Sequence, residues 1–501
     1  MSNTPAAAIA PQKAPARSLP KEWGFWVALA ALAIIVMLPP QQGLPVAGQY
    51  TLGIFLFAVI VWITEAIDYA VSAIVIATLM AFLLGLAPDL AKPDHPMGTG
   101  AALSLAMDGF TNTGVVLIAA ALFIAEAMSM TGLDKRIALN VLSKVGSSTR
   151  RILIGTLLTQ VVLSFFLPTS SARVAYMAPI MLGMVAAFGL DKRSRFSSML
   201  MIATTQASTI TIIGLKTAAA GNLVTTGFIE KMLHTTITWL DWMIVAGPYA
   251  LTLMIALYFI MVKMMPPEME EIPGGNESIR KAVATLGPMT ISEKKLLVLS
   301  VVLLAFWVTE GKLHHFDTSS TTIAAIALLL LPRIGIMEWK ATQKHIAWGS
   351  ILLTGIGVSL GTALLKTQAA GWLTGFIVGG FGLQHASAFT IFATMAMFMI
   401  VIHLGMSSAA ALASAMIPIV IGVLQGVQTP GINVVGTTLL LGFMVGFGFI
   451  LPVSGPHHMI ALGTDTFEVK DFVRIGLVLA AVGYVLLLVF AATYWSWLGY
   501  L

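Results

Sequence analysis

Apolar residues along this chain come in runs of about 20, and a run of that length spans the hydrocarbon layer of a bilayer as a single helix. Such runs lie near residues 23–39, 49–64, 68–87, 114–131, 197–229, 242–263, 295–309, 319–335, 349–365, 433–462 and 472–498, which predicts roughly eleven crossings. Two further runs, 152–190 and 386–425, are about twice as long and are interrupted centrally by small hydroxyl residues. Each is either two crossings or one re-entrant helical hairpin.

Composition agrees with the pattern. With 58% hydrophobic and 10% charged residues, the chain reads as an all-α polytopic membrane protein. Residues 1–21 are Ala/Pro-rich without an apolar face and read as a disordered cytoplasmic tail. The run Trp23 to Met37 imitates a secretory signal, but many spans follow and no small-residue cleavage site is evident, so it reads as the first span. The absence of cysteine excludes disulfides and thiolate metal sites.

Charge placement chooses between the options for the two long runs. If both are hairpins that return to their own side, 21 of the 27 basic residues fall on one face. Lys92, Lys231, Lys312 and Lys366 fall on the other. The positive-inside rule then predicts an inner-membrane protein with a cytoplasmic N-terminus and a periplasmic C-terminus. The net charge of +5 is accounted for by these loops, so no nucleic-acid partner is implied. Two basic residues remain, Arg173 and Lys216, both inside apolar runs, against one intramembrane acid, Glu126. A charge at that depth is expensive, and an excess of buried positive charge favours an anionic ligand.

An internal repeat is also legible. Trp62-Ile63-Thr64-Glu65 closes the second span and Trp307-Val308-Thr309-Glu310 the seventh, and Ser171 to Asn222 spans 51 residues where Ser408 to His458 spans 50. Glu65 falls inside and Glu310 outside, so the reading is an inverted two-fold repeat, an arrangement that alternates access to a midplane site. The predicted layout is a first half at 22–263 (hairpin 152–190, broken helix 197–230), a cytoplasmic linker at 264–293, a second half at 294–462 (hairpin 386–425, broken helix 433–462) and a last crossing at 463–501. Both broken helices carry residues that interrupt a helix: Gly214 and Ala220-Gly221-Asn222 in the first, Pro452 and Gly455-Pro456-His457-His458 in the second. Non-helical backbone at membrane depth is tolerated only where protein or a water-filled cavity satisfies it. Half-helix N-termini then offer free amides to an anion.

These residues resemble the divalent anion/sodium symporter family of di- and tricarboxylate carriers, and the resemblance covers nearly the whole chain. The family's hairpin tips carry Ser-Asn-Thr; here Thr169-Ser170-Ser171 before Pro179 and Ser408-Ala409-Ala410 before Pro418 stand in those places. Neither tip keeps the asparagine. Of the family's Thr-Pro-Pro-Asn-like turns in the broken helices, Ala219-Ala220-Gly221-Asn222 and Gly455-Pro456-His457-His458 retain only Asn222. Ala172-Arg173 looks like the Ala-Arg that follows the first tip in the family's sodium-independent exchangers. The resemblance implies a secondary carrier of a divalent organic anion such as a C4 dicarboxylate or 2-oxoglutarate, working by exchange in an elevator-type homodimer. The substrate site it implies holds Thr169, Ser170, Ser171, Arg173, Asn222, Ser407, Ser408, Gly455, Pro456, His457 and His458. Arg173 and Lys216 would act as fixed charges in place of sodium.

Plainer readings stand beside these. Arg173 can pair with Glu126 as a structural bridge; Lys216 can reach an interface; Ser407 and Ser408 can be small residues for close helix packing. Adjacent histidines without a carboxylate cluster are a weak metal signal, so no metal site or cofactor is expected, with sodium kept only as a coupling ion. Sodium-coupled symport of a dicarboxylate, sulfate or similar anion is the alternative function. An anion channel and a membrane-embedded hydrolase built on Ser170 and His457 are the remote ones, and the chain is not expected to be an enzyme.

Overall fold

The computed structural model describes residues 19–146, 148–271, 280, 281, 283–380, 382, 384, 386–427 and 429–501, so residues 1–18 of the expected tail and 272–279 of the expected linker lie outside the described residues. The described chain is helical, with isolated β-bridges and no strand. Numbered in chain order, the first half holds α1 (Leu19–Met37), α2 (Val46–Thr64), α3 (Tyr69–Leu79), α4 (Thr99–Met107), α5 (Thr113–Thr131), α6 (Leu133–Leu142), α7 (Thr149–Ser164), α8 (Ser170–Ala187), α9 (Arg195–Gly214), α10 (Ala220–Leu233) and α11 (Trp239–Met264). The second half holds α12 (Ile291–Thr309), α13 (Thr318–Leu330), α14 (Trp348–Lys366), α15 (Ala369–Gly380), α16 (Ala388–His403), α17 (Ala409–Gly426), α18 (Val434–Gly442), α19 (Pro456–Leu462) and α20 (Val469–Phe490). Among the described residues, eight helices are long and apolar enough to cross a membrane, with α9 encased by protein from Phe196 to Gly214.

Helix starts follow from side-chain caps. Asp68 caps α3, and the pairs Thr238/Asp241 and Thr290/Glu293 form capping boxes on α11 and α12. Each satisfies amides that a helix end would otherwise leave without partners.

Each long interrupted run is a helix, a short tip and a second helix, and the two tips share one geometry. Thr169, before α8, has φ −124° and ψ 128°, and its hydroxyl accepts from Ala172 N at 3.3 Å. Ser408, before α17, has φ −119° and ψ 117°, and accepts from Ala411 N at 3.3 Å. The broken helices agree as well. After α9 the chain is extended at Leu215, makes one 3-10 turn over Lys216–Ala218 and is extended again at Ala219 before α10. Before α19, Leu451 is extended, Pro452–Ser454 is a 3-10 turn and Gly455 is extended. The two Trp-x-Thr-Glu segments match in part: the Trp62 and Trp307 indole nitrogens donate to Ser72 and Thr322 hydroxyls, each at 3.2 Å.

Three elements depart from the pattern of apolar runs. The glycine-rich stretch from Gly371 is a helix, α15, and α4 and α6 are short helices between spans. The start of the linker is bound to the body: the Glu268 carboxylate caps α9, accepting from Arg195 N and from Phe196 N at 3.0 Å, while Thr149 N donates to the Glu270 carbonyl at 3.0 Å.

Candidate anion-binding site

Four helices begin at one cavity of about 190 Å³. These are α8 and α17, which leave the two tips, and α10 and α19, which leave the two breaks. Its wall carries the hydroxyls of Tyr69, Thr169, Ser170, Thr209, Ser350, Ser407, Ser408 and Ser454, with the rings of His403 and His457. Gly221, Gly455 and Pro456 contribute backbone, and no acidic or basic chain is among the lining residues. Ala219 and Gly455, the residues before α10 and α19, make no side-chain cap bond to the amides that follow. Helix N-termini carry partial positive charge and N–H groups without intrahelical partners, so this convergence suits an anion.

The rest of the local charge stands behind the wall. Arg173 is fully buried and donates to the Leu167 carbonyl at 2.6 Å, the Ala218 carbonyl at 3.3 Å, the Ser208 carbonyl at 3.2 Å and Ser208 Oγ at 3.3 Å. These partners belong to the approach to the first tip, the first break and α9, so one guanidinium ties all three together. None is a carboxylate, and the charge is left without a counter-ion in that set. Glu126, the partner in the plainer reading, instead faces His345 Nδ1 at 3.0 Å.

The two half-sites meet through hydrogen bonds. Ser170 Oγ lies 3.2 Å from His457 Nδ1, and His457 Nε2 lies 2.8 Å from Thr209 Oγ1. Thr209 donates to the Thr205 carbonyl at 3.0 Å, so His457 Nε2–H is the donor to Thr209 and Nδ1 accepts from Ser170. His458 lies against His457 with ring centroids 3.9 Å apart and planes tilted by 39°, donates from Nε2 to the Gly448 carbonyl at 2.9 Å and faces Thr205 Oγ1 at 2.7 Å.

Of the residues expected in the site, Thr169, Ser170, Ser407, Ser408, Gly455, Pro456 and His457 line the cavity. Ser171, Arg173, Asn222 and His458 do not. Asn222 braces the first break from behind, donating to the carbonyls of Ile212 at 2.7 Å and Leu215 at 2.9 Å. Lys216 turns away and donates to the Ile237 carbonyl at 2.6 Å. Tyr69, Thr209, Ser350, His403 and Ser454 line the cavity without having been singled out in the sequence. Ser350 and His403 are lone polar residues among apolar or small ones, while Thr209 is one of several hydroxyl residues along α9. The fold brings them together, with α3, α9, α14, α16 and the second break meeting at the cavity.

The family described as the sodium:sulfate symporter transmembrane region matches residues 19–501. A membrane protein of Cupriavidus necator is 49% identical over 487 residues, covering 97% of this chain and 94% of its own. The L-tartrate/succinate antiporter of Escherichia coli K12 is 27% identical over 481 residues, covering 93% of this chain and 96% of its own. Among solved structures, the YdaH transporter of Alcanivorax borkumensis shares the fold at 15% identity with a TM-score of 0.50, covering 85% of this chain and 97% of that one. The chain is a multi-pass membrane transport protein, not an enzyme, and it belongs to the sodium:sulfate symporter transmembrane region family.

Proposed function

We propose that this carrier exchanges small dicarboxylates, of C4 or 2-oxoglutarate type, without sodium. The observation that carries the reading is the Arg173 guanidinium, bonded to carbonyl oxygens of the first tip's approach, the first break and α9. Backbone carbonyls beside a helix break are the kind of oxygen that holds a coupling cation, and here the guanidinium already holds them with a fixed charge. A dicarboxylate offers two anionic groups, one for the N-termini of α8 and α10 and one for those of α17 and α19. An empty site of this kind keeps an uncompensated charge, so return of the unloaded carrier is disfavoured and transport becomes exchange. The E. coli relative's name, an L-tartrate/succinate antiporter, agrees in substrate class and mode.

The matching tips and breaks support an inverted repeat and elevator-type movement of the hairpin-bearing part. With these belong an inner-membrane location, a cytoplasmic N-terminus and a homodimer with one site per protomer. Substrate contacts fall to Thr169, Ser170, Ser407, Ser408, Gly455, Pro456 and His457, with Ser171, Arg173, Asn222 and His458 acting from behind them and Lys216 as a second fixed charge.

One observation favours sodium-coupled symport. Asn222 Oδ1 is buried at the first break with no hydrogen-bond partner among the described residues, and such an oxygen suits a cation. The two readings separate in purified carrier reconstituted into sealed vesicles. Labelled succinate enters vesicles preloaded with succinate and stays out of empty ones under exchange; equal entry into both rejects it.

A further inference from the structure

We propose that Glu65 is a tethered carboxylate that holds the second hairpin tip and is displaced by the substrate, so that it links occupancy of the site to reorientation. The proposal rests on the exchange reading above.

The cavity takes most of its wall from the tips and breaks, but Tyr69 enters from elsewhere, at the start of α3. The corner between α2 and α3 that carries Tyr69 also carries Glu65, which holds a left-handed conformation with φ 47°. From there Glu65 reaches the second tip: Ser407 Oγ donates to its Oε1 across a separation of 342 residues. Tyr69 Oη lies 3.1 Å from the same Ser407 Oγ.

A serine hydroxyl has one proton, and an ionised carboxylate only accepts. With the Ser407 proton on Glu65, the tyrosine is the donor to Ser407. Ser407 thus sits between Tyr69 and Glu65, with its own proton on the carboxylate. Ser407 and Ser408 both face the cavity. One of the hydroxyls that would serve an incoming carboxylate is thus already committed to a carboxylate of the protein. A second carboxylate cannot take the same proton, so substrate binding at Ser407 and the Glu65 contact exclude one another.

The counterpart in the other half behaves differently. Glu310, at the same place after Trp307, bonds to the N-terminus of its own next helix, accepting from Thr318 N at 3.3 Å and Thr318 Oγ1 at 2.5 Å. The first tip has Pro168 where the second has Ser407, and proline offers no proton. The contact is therefore one-sided and favours one orientation of the carrier. Charge-assisted hydrogen bonds of this kind are about twice as strong as neutral ones.

The test uses the absence of cysteine from the chain. Ala220→Cys places a single thiol in the cavity wall, and a membrane-impermeant maleimide reads its exposure from each side of oriented, sealed vesicles. Glu65→Gln and Ser407→Ala are each expected to shift the ratio of labelling rates between the two sides by about tenfold, in the same direction, the weight of one charge-assisted bond. Ser407→Thr, which keeps the hydroxyl, is expected to retain the parental ratio and separates loss of the contact from damage to the fold. An unchanged ratio in both Glu65→Gln and Ser407→Ala overturns the proposal. Succinate is then used to protect the thiol, and Glu65→Gln is expected to lower the half-protecting concentration about tenfold; an unchanged value overturns the displacement. If succinate protects no variant and not the parent, the dicarboxylate reading fails, while the side ratio, which needs neither substrate nor transport, still decides whether Glu65 holds the tip.

Discussion

Arg173 donates from Nη1 to the Leu167 carbonyl at 2.6 Å, the shortest of its four bonds, and fixes the backbone just before the first tip. The remaining three run to Ala218 and Ser208, so the residue oriented toward anion binding in the sequence acts from behind the cavity wall. Its charge reaches the site through the protein interior, where screening by water is weak.

Replacing this arginine separates charge from geometry. Arg173→Lys keeps a positive charge but loses the planar fork, and the exchange rate should fall by roughly tenfold or more. Arg173→Ala leaves buried carbonyls without donors and should abolish exchange and lower the melting temperature, each orphaned acceptor costing about 1–3 kcal/mol. Melting in detergent and uptake in vesicles read the two effects; wild-type rates in Arg173→Ala would remove the arginine from the mechanism.

The Ser170, His457 and Thr209 chain joins one tip to the opposite break. Ser170→Ala removes a cavity hydroxyl and the donor to His457, and should raise the half-saturating substrate concentration about tenfold with a smaller effect on maximal rate. Thr209→Val removes the acceptor behind the ring and should do the same more weakly. Concentration dependence of exchange checks both.

Close packing at the first break gives a sharper test. A Cβ on Gly221 would lie 2.6 Å from Val445 Cγ1 and 2.8 Å from the Ala409 carbonyl, which belongs to the second tip. Gly221→Ala should therefore separate the two half-sites and abolish transport. Gly371→Ala, where a Cβ meets nothing within 4 Å, should be silent or stabilise α15 by up to about 1 kcal/mol. Equal activity of the two variants would contradict the packing described.

Outside the spans, Asp134 at the start of α6 is buried, with no hydrogen-bond partner for Oδ2 among the described residues, and burial raises its carboxyl to about 6 against the usual 3.8. A raised carboxyl is a stability deficit at high pH: the fold favours the protonated form, so stability falls as pH rises from about 4 through 6. Asp134→Asn should raise the melting temperature at pH 8 and lose that advantage near pH 4, a difference that melting across the pH range would show.

How much of this was legible depends on what kind of signal each part leaves. Long apolar runs mark helices by length alone, and the hydroxyl clusters at Thr169 and Ser408 mark tips because polar residues interrupt those runs where no turn to solvent is expected. The breaks at Ala219 and Gly455 are foreshadowed by glycine and proline. Tyr69, Thr209 and His403 left no such mark, since one polar residue on a helix is compatible with many surroundings. Arg173 was conspicuous, yet its direction was not: backbone carbonyls that accept from a guanidinium have no sequence signature. The same holds for Glu268, whose capping of α9 depends on where the linker returns to the body.

The most direct test of the account is the dependence of succinate exchange on sodium in vesicles loaded with succinate. If the Arg173 guanidinium holds the oxygens that a cation would need, the initial rate is the same in sodium-free and sodium-containing medium. A rate that vanishes without sodium and rises with its concentration would contradict the assignment.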